Sequence, residues 1–484
     1  MKSSRRAFLG GLVASALTTR ASGVERDFGP CRLRFGVLSD LHVDPNSPTG
    51  LQRFVRALEY FRTRGIDALV LGGDNVMGGR ISGLKKLADA WWSVFPNDRA
   101  DDGRAVARVF ALGNHEYDCS RTDRQANNPD CIALPGNLDR GWKEVFGEPW
   151  APVQKVTVRG YDFIVAHWGG LEKNLPAWMA ENGPALAKDR PFFLVQHPHP
   201  GGTCFGDWGW GNDGGLTKKV LADYPNAVVF SGHSHYSVAD ELSVWQGEFT
   251  SLNAGSLFQA SDEYNFRDNA RGNARGNSRS MGWSGWRNTN RFATSGAGGT
   301  PSGLYCEVYD GVLKVERRAF PSTERLGDDW ILGVPARGAE SDYAPEARRR
   351  RRVAPAFADG VVAKAEFVRA RVRKPRDGEP AEQPAVRVSF PGAEMRGGCR
   401  VFDYEVTPNL CEDDVETRLA SRRIFAADAL GPQRPPETCG AFLHFALDEL
   451  PKKAKVRFAV CPVERFGRRG PEIFSNEIRT EIVQ

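Results

Sequence analysis

The stretch RLRFGVLSDLH, residues 32–42, decides the fold. It begins as a strand candidate with a near-continuous apolar run, the pattern of a strand buried on both faces. It stops at Asp40 and His42, side-chain types that carry chemistry more often than they fill cores. Working outward, LQRFVRALEYFRTRG (51–65) has helical apolar spacing and ends in Gly, and DALVLGGD (67–74) is a second strand ending in Asp74. ISGLKKLADAWWSVF (81–95) reads as a second helix, and VARVFALGN (106–114) as a third strand ending in Asn114. This βαβαβ alternation predicts an α/β layered sheet. Further strands are expected in YDFIVAH (161–167), PFFLVQH (191–197), AVVFSGH (227–233) and FTSLNAGS (249–256). LYCEVYDGVLKVERRAF (304–320) reads as a hairpin turning at Asp310-Gly311.

At 484 residues the chain is too long for one ordinary core. The α/β rhythm occupies residues 30–335, interrupted at 261–303 by a segment dense in Gly, Asn, Ser and Arg that contains the tandem ARGNARGN and reads as a long inserted loop. Residues 336–352, ending in five consecutive arginines, read as a solvated linker. Beyond it, in 353–484, AVRVSF (385–390), RVFDYEVT (400–407), AFLHFAL (441–447) and KVRFAVCPV (455–463) alternate apolar and polar residues between Pro and Gly turns. That is the pattern of a small all-β sandwich.

The first 23 residues stand apart. SSRRAFLGGLVASALTTRASG places paired arginines before a short apolar stretch and then small residues, an export signal too short to span a bilayer. The net charge of +5 is concentrated here, because Lys2, Arg5, Arg6 and Arg20 meet no acid in this segment. The remainder is nearly neutral, so there is no nucleic-acid-binding signature, and no transmembrane helix is expected in the mature chain. The nine cysteines contain no CxxC, which argues against a thiolate zinc site. Cys119 with Cys131 and Cys439 with Cys461 are candidate disulfides for an exported chain, and the odd total leaves at least one thiol free.

Seven of the eight histidines fall between positions 42 and 235. Six of these lie in or beside polar clusters at strand ends: SDLH (Asp40, His42), GGDN (Asp74), GNHE (Asn114, His115), QHPH (His197, His199) and SGHSH (His233, His235). In an α/β sheet the loops at the strand carboxyl ends converge on one crevice, so these groups are expected to meet. Carboxylate, imidazole and amide together suit first-row transition metals such as Mn, Fe or Zn rather than calcium. The donors suffice for two ions, divalent or mixed-valence, of the kind that clamp a phosphoryl group.

The order DxH, GD, GNHE, H and GHxH resembles the calcineurin-like metallophosphoesterase superfamily, and SRRAFLG resembles a twin-arginine signal read by the twin-arginine export machinery. The first resemblance implies a four-layer α/β/β/α sandwich. Carried over residue by residue, it implies Asp40, His42 and His235 on a first metal, Asp74 bridging with its two oxygens, and Asn114, His197 and His233 on a second. It also implies that His115 orients substrate or protonates the leaving oxygen after in-line attack by a metal-bridging hydroxide. The C-terminal region is similar to a fibronectin type III-like β-sandwich. Met77, in GDNVMGG, stands where purple acid phosphatases carry a ligating tyrosine, so no tyrosinate-to-iron colour is expected.

Pro198 favours extended geometry at His197, so His197 and His199 could both face the crevice; the resemblance puts the second-metal ligand at His197, which stands at the strand end where relatives place theirs. A rival register would place Gln196 at the imidazole position. His199, Trp208 and Asp213 remain candidates for contacting substrate, with His199 also the alternative ligand. Glu116 is read as a capping or pairing group, and His167 as either structural or pocket-lining. The function expected is an exported, periplasmic or extracellular phosphatase or phosphodiesterase acting on a small-molecule phosphate ester. The alternative is a glycan- or surface-binding protein built on a weakly active or inactive phosphatase-like domain.

Overall fold

The computed structural model describes residues 27–44, 46–205, 211–258, 300–350, 353–370, 382–396, 400–412 and 415–481. The signal segment, nearly all of the 261–303 insertion and Trp208 lie outside them.

The expected rhythm is present as β1 (Leu33–Leu38), α1 (Thr49–Thr63), β2 (Ala68–Gly72), α2 (Ile81–Val94) and β3 (Ala107–Ala111). Short α3 (Arg121–Gln125) and α4 (Asn137–Phe146) follow. Next come β4 (Val153–Val158), β5 (Tyr161–Ala166), α5 (Leu171–Asn182), β6 (Phe192–Val195), α6 (Leu216–Val220), β7 (Ala227–Ser231), β8 (Val244–Gln246) and β9 (Thr250–Asn253). The hairpin is β10 (Ser302–Tyr309) and β11 (Val312–Ala319), turning at Asp310 and Gly311, and β12 (Trp330–Gly333) joins its edge. These strands form two six-stranded mixed sheets, β12-β11-β10-β1-β2-β3 and β4-β5-β6-β7-β9-β8.

The sheets pack face to face. Their shared core includes Phe35, whose ring lies 5.4, 5.0 and 5.7 Å from those of Phe163, Phe193 and Phe230. Helices α1, α2 and α4 cover the outer face of the first sheet through Phe54, Leu58, Phe61, Leu84, Trp91 and Trp142. Helices α5 and α6 lie against the second. This is the expected four-layer α/β/β/α arrangement. β1, β2 and β3 run parallel, as do β5, β6, β7 and β9, so every cluster named above lies just past the carboxyl end of a parallel strand.

After α7 (Pro345–Arg350) the chain becomes all β: β13 (Lys364–Ala370), β14 (Gln383–Phe390), β15 (Val401–Glu412), β16 (Val415–Arg418), β17 (Arg422–Phe425), β18 (Ala441–Ala446), β19 (Lys455–Glu464), β20 (Ile473–Phe474) and β21 (Ile478–Arg479). They form two antiparallel sheets, β13-β14-β18 and one centred on β15 and β19. Among the described residues no helix is long and apolar enough to cross a membrane.

The arginine run is not a solvated linker throughout. Arg348 is 2% exposed, and its Nη2 lies 2.9 Å from Glu241 Oε2, while Arg317 Nη1 lies 2.8 Å from the other oxygen. Burial works against the Glu241 charge, but the two guanidinium groups outweigh it and hold the carboxyl below its ordinary range. A partner this far along the chain leaves no mark on local composition. The all-β region docks on the same loop: Arg465 Nε lies 2.7 and 2.8 Å from the Asp240 oxygens, and Ser237 Oγ donates to Leu430 O at 3.1 Å. Arg400 Nη1 adds a 2.9 Å bond to Leu326 O. The two regions therefore share a buried, charge-paired seam. Of the two candidate disulfides Cys119–Cys131 is formed, whereas Cys439 and Cys461 are free thiols.

Candidate metal centre

Each ligand candidate sits where a strand has just ended and the chain must reverse. Asp40, His42, Asp74, His233 and His235 all have positive φ, at 52°, 46°, 51°, 69° and 57°. Non-glycine residues adopt this left-handed region at a cost of about 1–3 kcal/mol each, and they stay there only where surrounding bonds over-determine them. Here those bonds run between clusters: Asp40 N donates to Gly73 O and His42 N to Asp74 O, each at 2.9 Å, and His233 N reaches Asp40 Oδ2 at 3.0 Å. The motif glycines have the same origin. A Cβ on Gly113 would strike the Asp74 carboxylate, and one on Gly232 would strike Ser39 and the Asp40 carboxylate.

The result is two groups of donors with one shared member. Asp40, His42, Asp74 and His235 form the first, and Asp74, His197 and His233 the second; within each, the ligand atoms lie within 4.8 Å of one another. His42 Nε2 and His235 Nε2 are 3.0 Å apart, as are His197 Nε2 and His233 Nδ1 at 3.1 Å. Imidazole nitrogens facing each other this closely require a cation or proton between them. Asp74 Oδ1 accepts the His115 backbone N–H at 2.8 Å, while Oδ2 lies 3.1 Å from His197 Nε2 and 3.8 Å from His42 Nε2. A single oxygen, Oδ2, therefore faces both groups, which differs from a bridge using both oxygens.

The electrostatics are those of a cation site. Burial disfavours charge on Asp40, but His235, His197 and His42 outweigh it and hold the carboxyl far below its usual range; Asp74 is lowered in the same way, chiefly by His197. Burial alone would lower His197, yet Asp74 and Asp40 raise it to about 9. Desolvation takes His42 down to about 4 and His233 to about 3, leaving both neutral and able to donate lone pairs. Asn114 Oδ1 is buried and makes no hydrogen bond, an acceptor that a metal would satisfy. His197 Nδ1 is 2.8 Å from Gly72 O, so Nδ1 keeps its proton and a metal would take the place of the proton on Nε2. The residues fit a dinuclear centre by donor type, orientation and charge.

The other expected residues fall in different places. His115 is 32% exposed at the mouth, with Nε2 3.9 Å from Asp74 Oδ2 and its ring edge-on to His42. His199 is not brought into the donor groups: it is fully buried, with Nδ1 2.8 Å from Ser231 Oγ and Nε2 2.5 Å from Ser234 Oγ. Neither ring nitrogen is left for substrate. Asp213 closes its own turn, accepting from the Gly201, Gly215 and Thr217 amides. Gln196 is occupied with Thr217 and Pro198 O. Glu116 is fully buried and accepts the amides of Asp74, Val76 and Gly113, so it fixes the backbone on both sides of the site; burial and the Asp74 charge push its carboxyl up to about 8 against those donors. His167 is structural, with Nδ1 accepting from Leu112 N at 3.1 Å and its ring between Trp142 and Trp150. Sequence reasoning missed Trp168 and Phe258, whose rings lie against His233 and His42. The signal for Trp168 was its place immediately after a strand-end histidine.

Residues 33–237 match the family model described as calcineurin-like phosphoesterase. No curated protein matches the sequence. Similar solved structures include a dimetal phosphatase from Danio rerio, at 10% identity and TM-score 0.34, covering 63% of this chain and 99% of that one. The purple acid phosphatase PPD1 from yellow lupin seeds is 13% identical with TM-score 0.40, covering 62% of this chain and 53% of that one. GAP50, the anchor in the inner membrane complex of Plasmodium, is 14% identical with TM-score 0.35, covering 63% and 89%.

Proposed function

We propose, from the premise that residues 33–237 are a calcineurin-like metallophosphoesterase domain, that this protein is an exported metal-dependent phosphoesterase hydrolysing phosphomonoesters or phosphodiesters of small molecules. The observation that carries the reading is Asp74 Oδ2 standing between the two donor groups. Asp40, His42, Asp74 and His235 would hold one ion, and Asp74, Asn114, His197 and His233 the other. Two such ions would supply a nucleophile at neutral pH and positive charge against the phosphoryl oxygens. The protein's own contribution is positioning. Glu116 and the inter-cluster amide bonds hold the ligands still, and His115, partly exposed beside Asp74, would donate a proton to the departing oxygen. Met77 in place of a tyrosine favours Mn, Zn or Fe(II) over an iron(III)-tyrosinate pair.

Export is supported by the twin arginines and by the Cys119–Cys131 disulfide, a bond that persists in oxidising compartments. The two antiparallel sheets of the C-terminal region support its reading as a fibronectin type III-like sandwich. The test is metal analysis of the purified chain, followed by assay of aryl phosphate mono- and diesters after reconstitution with Mn, Fe or Zn. Two ions per chain and turnover are expected. Neither metal nor turnover under any reconstitution would overturn the proposal, and normal export of an Arg5→Lys/Arg6→Lys chain would remove the twin-arginine part.

A further inference from the structure

We infer that Trp168 is a specificity-determining residue, a preformed aromatic wall that selects phosphate esters whose organic group is planar and aromatic. This inference rests on the phosphoesterase reading and adds a substrate class to it.

Trp168 is 37% exposed, and among the described residues up to 350 no other large apolar side chain is exposed to that degree. A single water-facing indole is ordinary on a protein surface; this one stands at the mouth of the centre. Its ring centroid lies 5.3 Å from His233 and 5.9 Å from His197, the two imidazoles of the second donor group. His115 flanks the first group, through its edge-on contact with His42. Among the described residues the indole and Gly211 flank the second group and His115 and Phe258 the first, so the indole is an aromatic face that the organic part of an ester can meet when its phosphoryl group sits at Asp74.

The wall is fixed in advance. Trp168 N donates to Leu112 O at 2.9 Å, and Leu112 N donates to His167 Nδ1 at 3.1 Å, so the 167–168 pair is fastened to the residue two before Asn114. Gly170, just beyond, has no room for a Cβ, which would run into Pro152 O, and this holds the turn close to the neighbouring loop. An aromatic face ordered by the fold costs little further entropy when a ligand stacks on it. Stacking is sequence- and substituent-tolerant but requires a flat π-face, so it favours aryl and heteroaryl esters over saturated ones of equal bulk.

The test compares phenyl with cyclohexyl phosphate, as monoesters and diesters, on the metal-loaded full chain. The ratio of their kcat/KM values is taken for wild type, Trp168→Ala and Trp168→Phe, so intrinsic reactivity cancels. The Ala variant is expected to lower the phenyl-to-cyclohexyl ratio about 10-fold, mainly through KM, with bound metal unchanged and most of the ratio restored in the Phe variant. An unchanged ratio, or an equal loss for both esters, would overturn the inference and leave Trp168 as mere support for His197 and His233. Wild-type enzyme that turns over neither ester with any metal would overturn the phosphoesterase reading, and this inference with it.

Discussion

The seam between the two regions makes a quantitative prediction at Arg465. Its guanidinium is 5% exposed and meets Asp240, which is 0% exposed, through two contacts of 2.7 and 2.8 Å. It also stacks 4.3 Å from the centroid of Phe402. Arg465→Met keeps the apolar stem against Phe402 and removes the charge, leaving the Asp240 carboxylate buried with only the Leu242 amide among its named partners. Stripping one member from a buried pair costs about 3–5 kcal/mol. At roughly 2 °C per kcal/mol, the melting temperature should fall by about 6–10 °C. Because Ser237 to Glu241 continue directly from His233 and His235, the variant should also release metal more readily during dialysis against chelator. The double variant Asp240→Asn/Arg465→Met removes both charges and should recover more than half of the loss. The measurements are differential scanning calorimetry and metal per chain after dialysis. If Arg465→Met melts and retains metal like wild type, or if the double variant is worse than the single, the coupling between sandwich and site is refuted.

Three further outcomes follow from the site. His115→Ala should lower kcat about 100-fold while metal content, measured by mass spectrometry, stays at the wild-type value; loss of metal would mean that His115 is a ligand. His197→Ala should lose metal, whereas His199→Ala should keep it and instead cost about 1–3 kcal/mol in chemical denaturation, because the buried Ser231 and Ser234 hydroxyls each lose their shortest hydrogen bond and keep only the longer contacts with Leu252 O and Tyr236 N. Burial lowers His167 to about 3 from 6.5, so the unfolded chain binds its proton first as pH falls. Stability therefore drops as pH goes from 6.5 towards 3, by about 1.4 kcal/mol per unit for this group, and His167→Gln should flatten the slope by that amount.

What the sequence made legible was what local chemistry dictates. Strand ends announce themselves by an apolar run stopping at Asp40, Asp74, Asn114, His197 or His233, and parallel strands bring such ends together. Within QHPH, extended spacing put both histidines on one side, and the structure separates them by what each meets: Gly72 O for His197, two serines for His199. The serines are 32 and 35 residues away, beyond any local pattern. Arg348 shows the same limit, since an arginine run looks solvated until Glu241 is folded against it. Trp168 was hidden for a different reason: whether a tryptophan packs in a core or lines a mouth depends on tertiary exposure, which periodicity does not carry.

The left-handed strand ends have an implication for how such a chain would decay. At each of the five positions the backbone is held in a conformation that glycine or asparagine adopts more cheaply. Exchange of one of them for glycine would relax its own backbone while removing a donor from its group, so substitutions that empty the site need not weaken the fold.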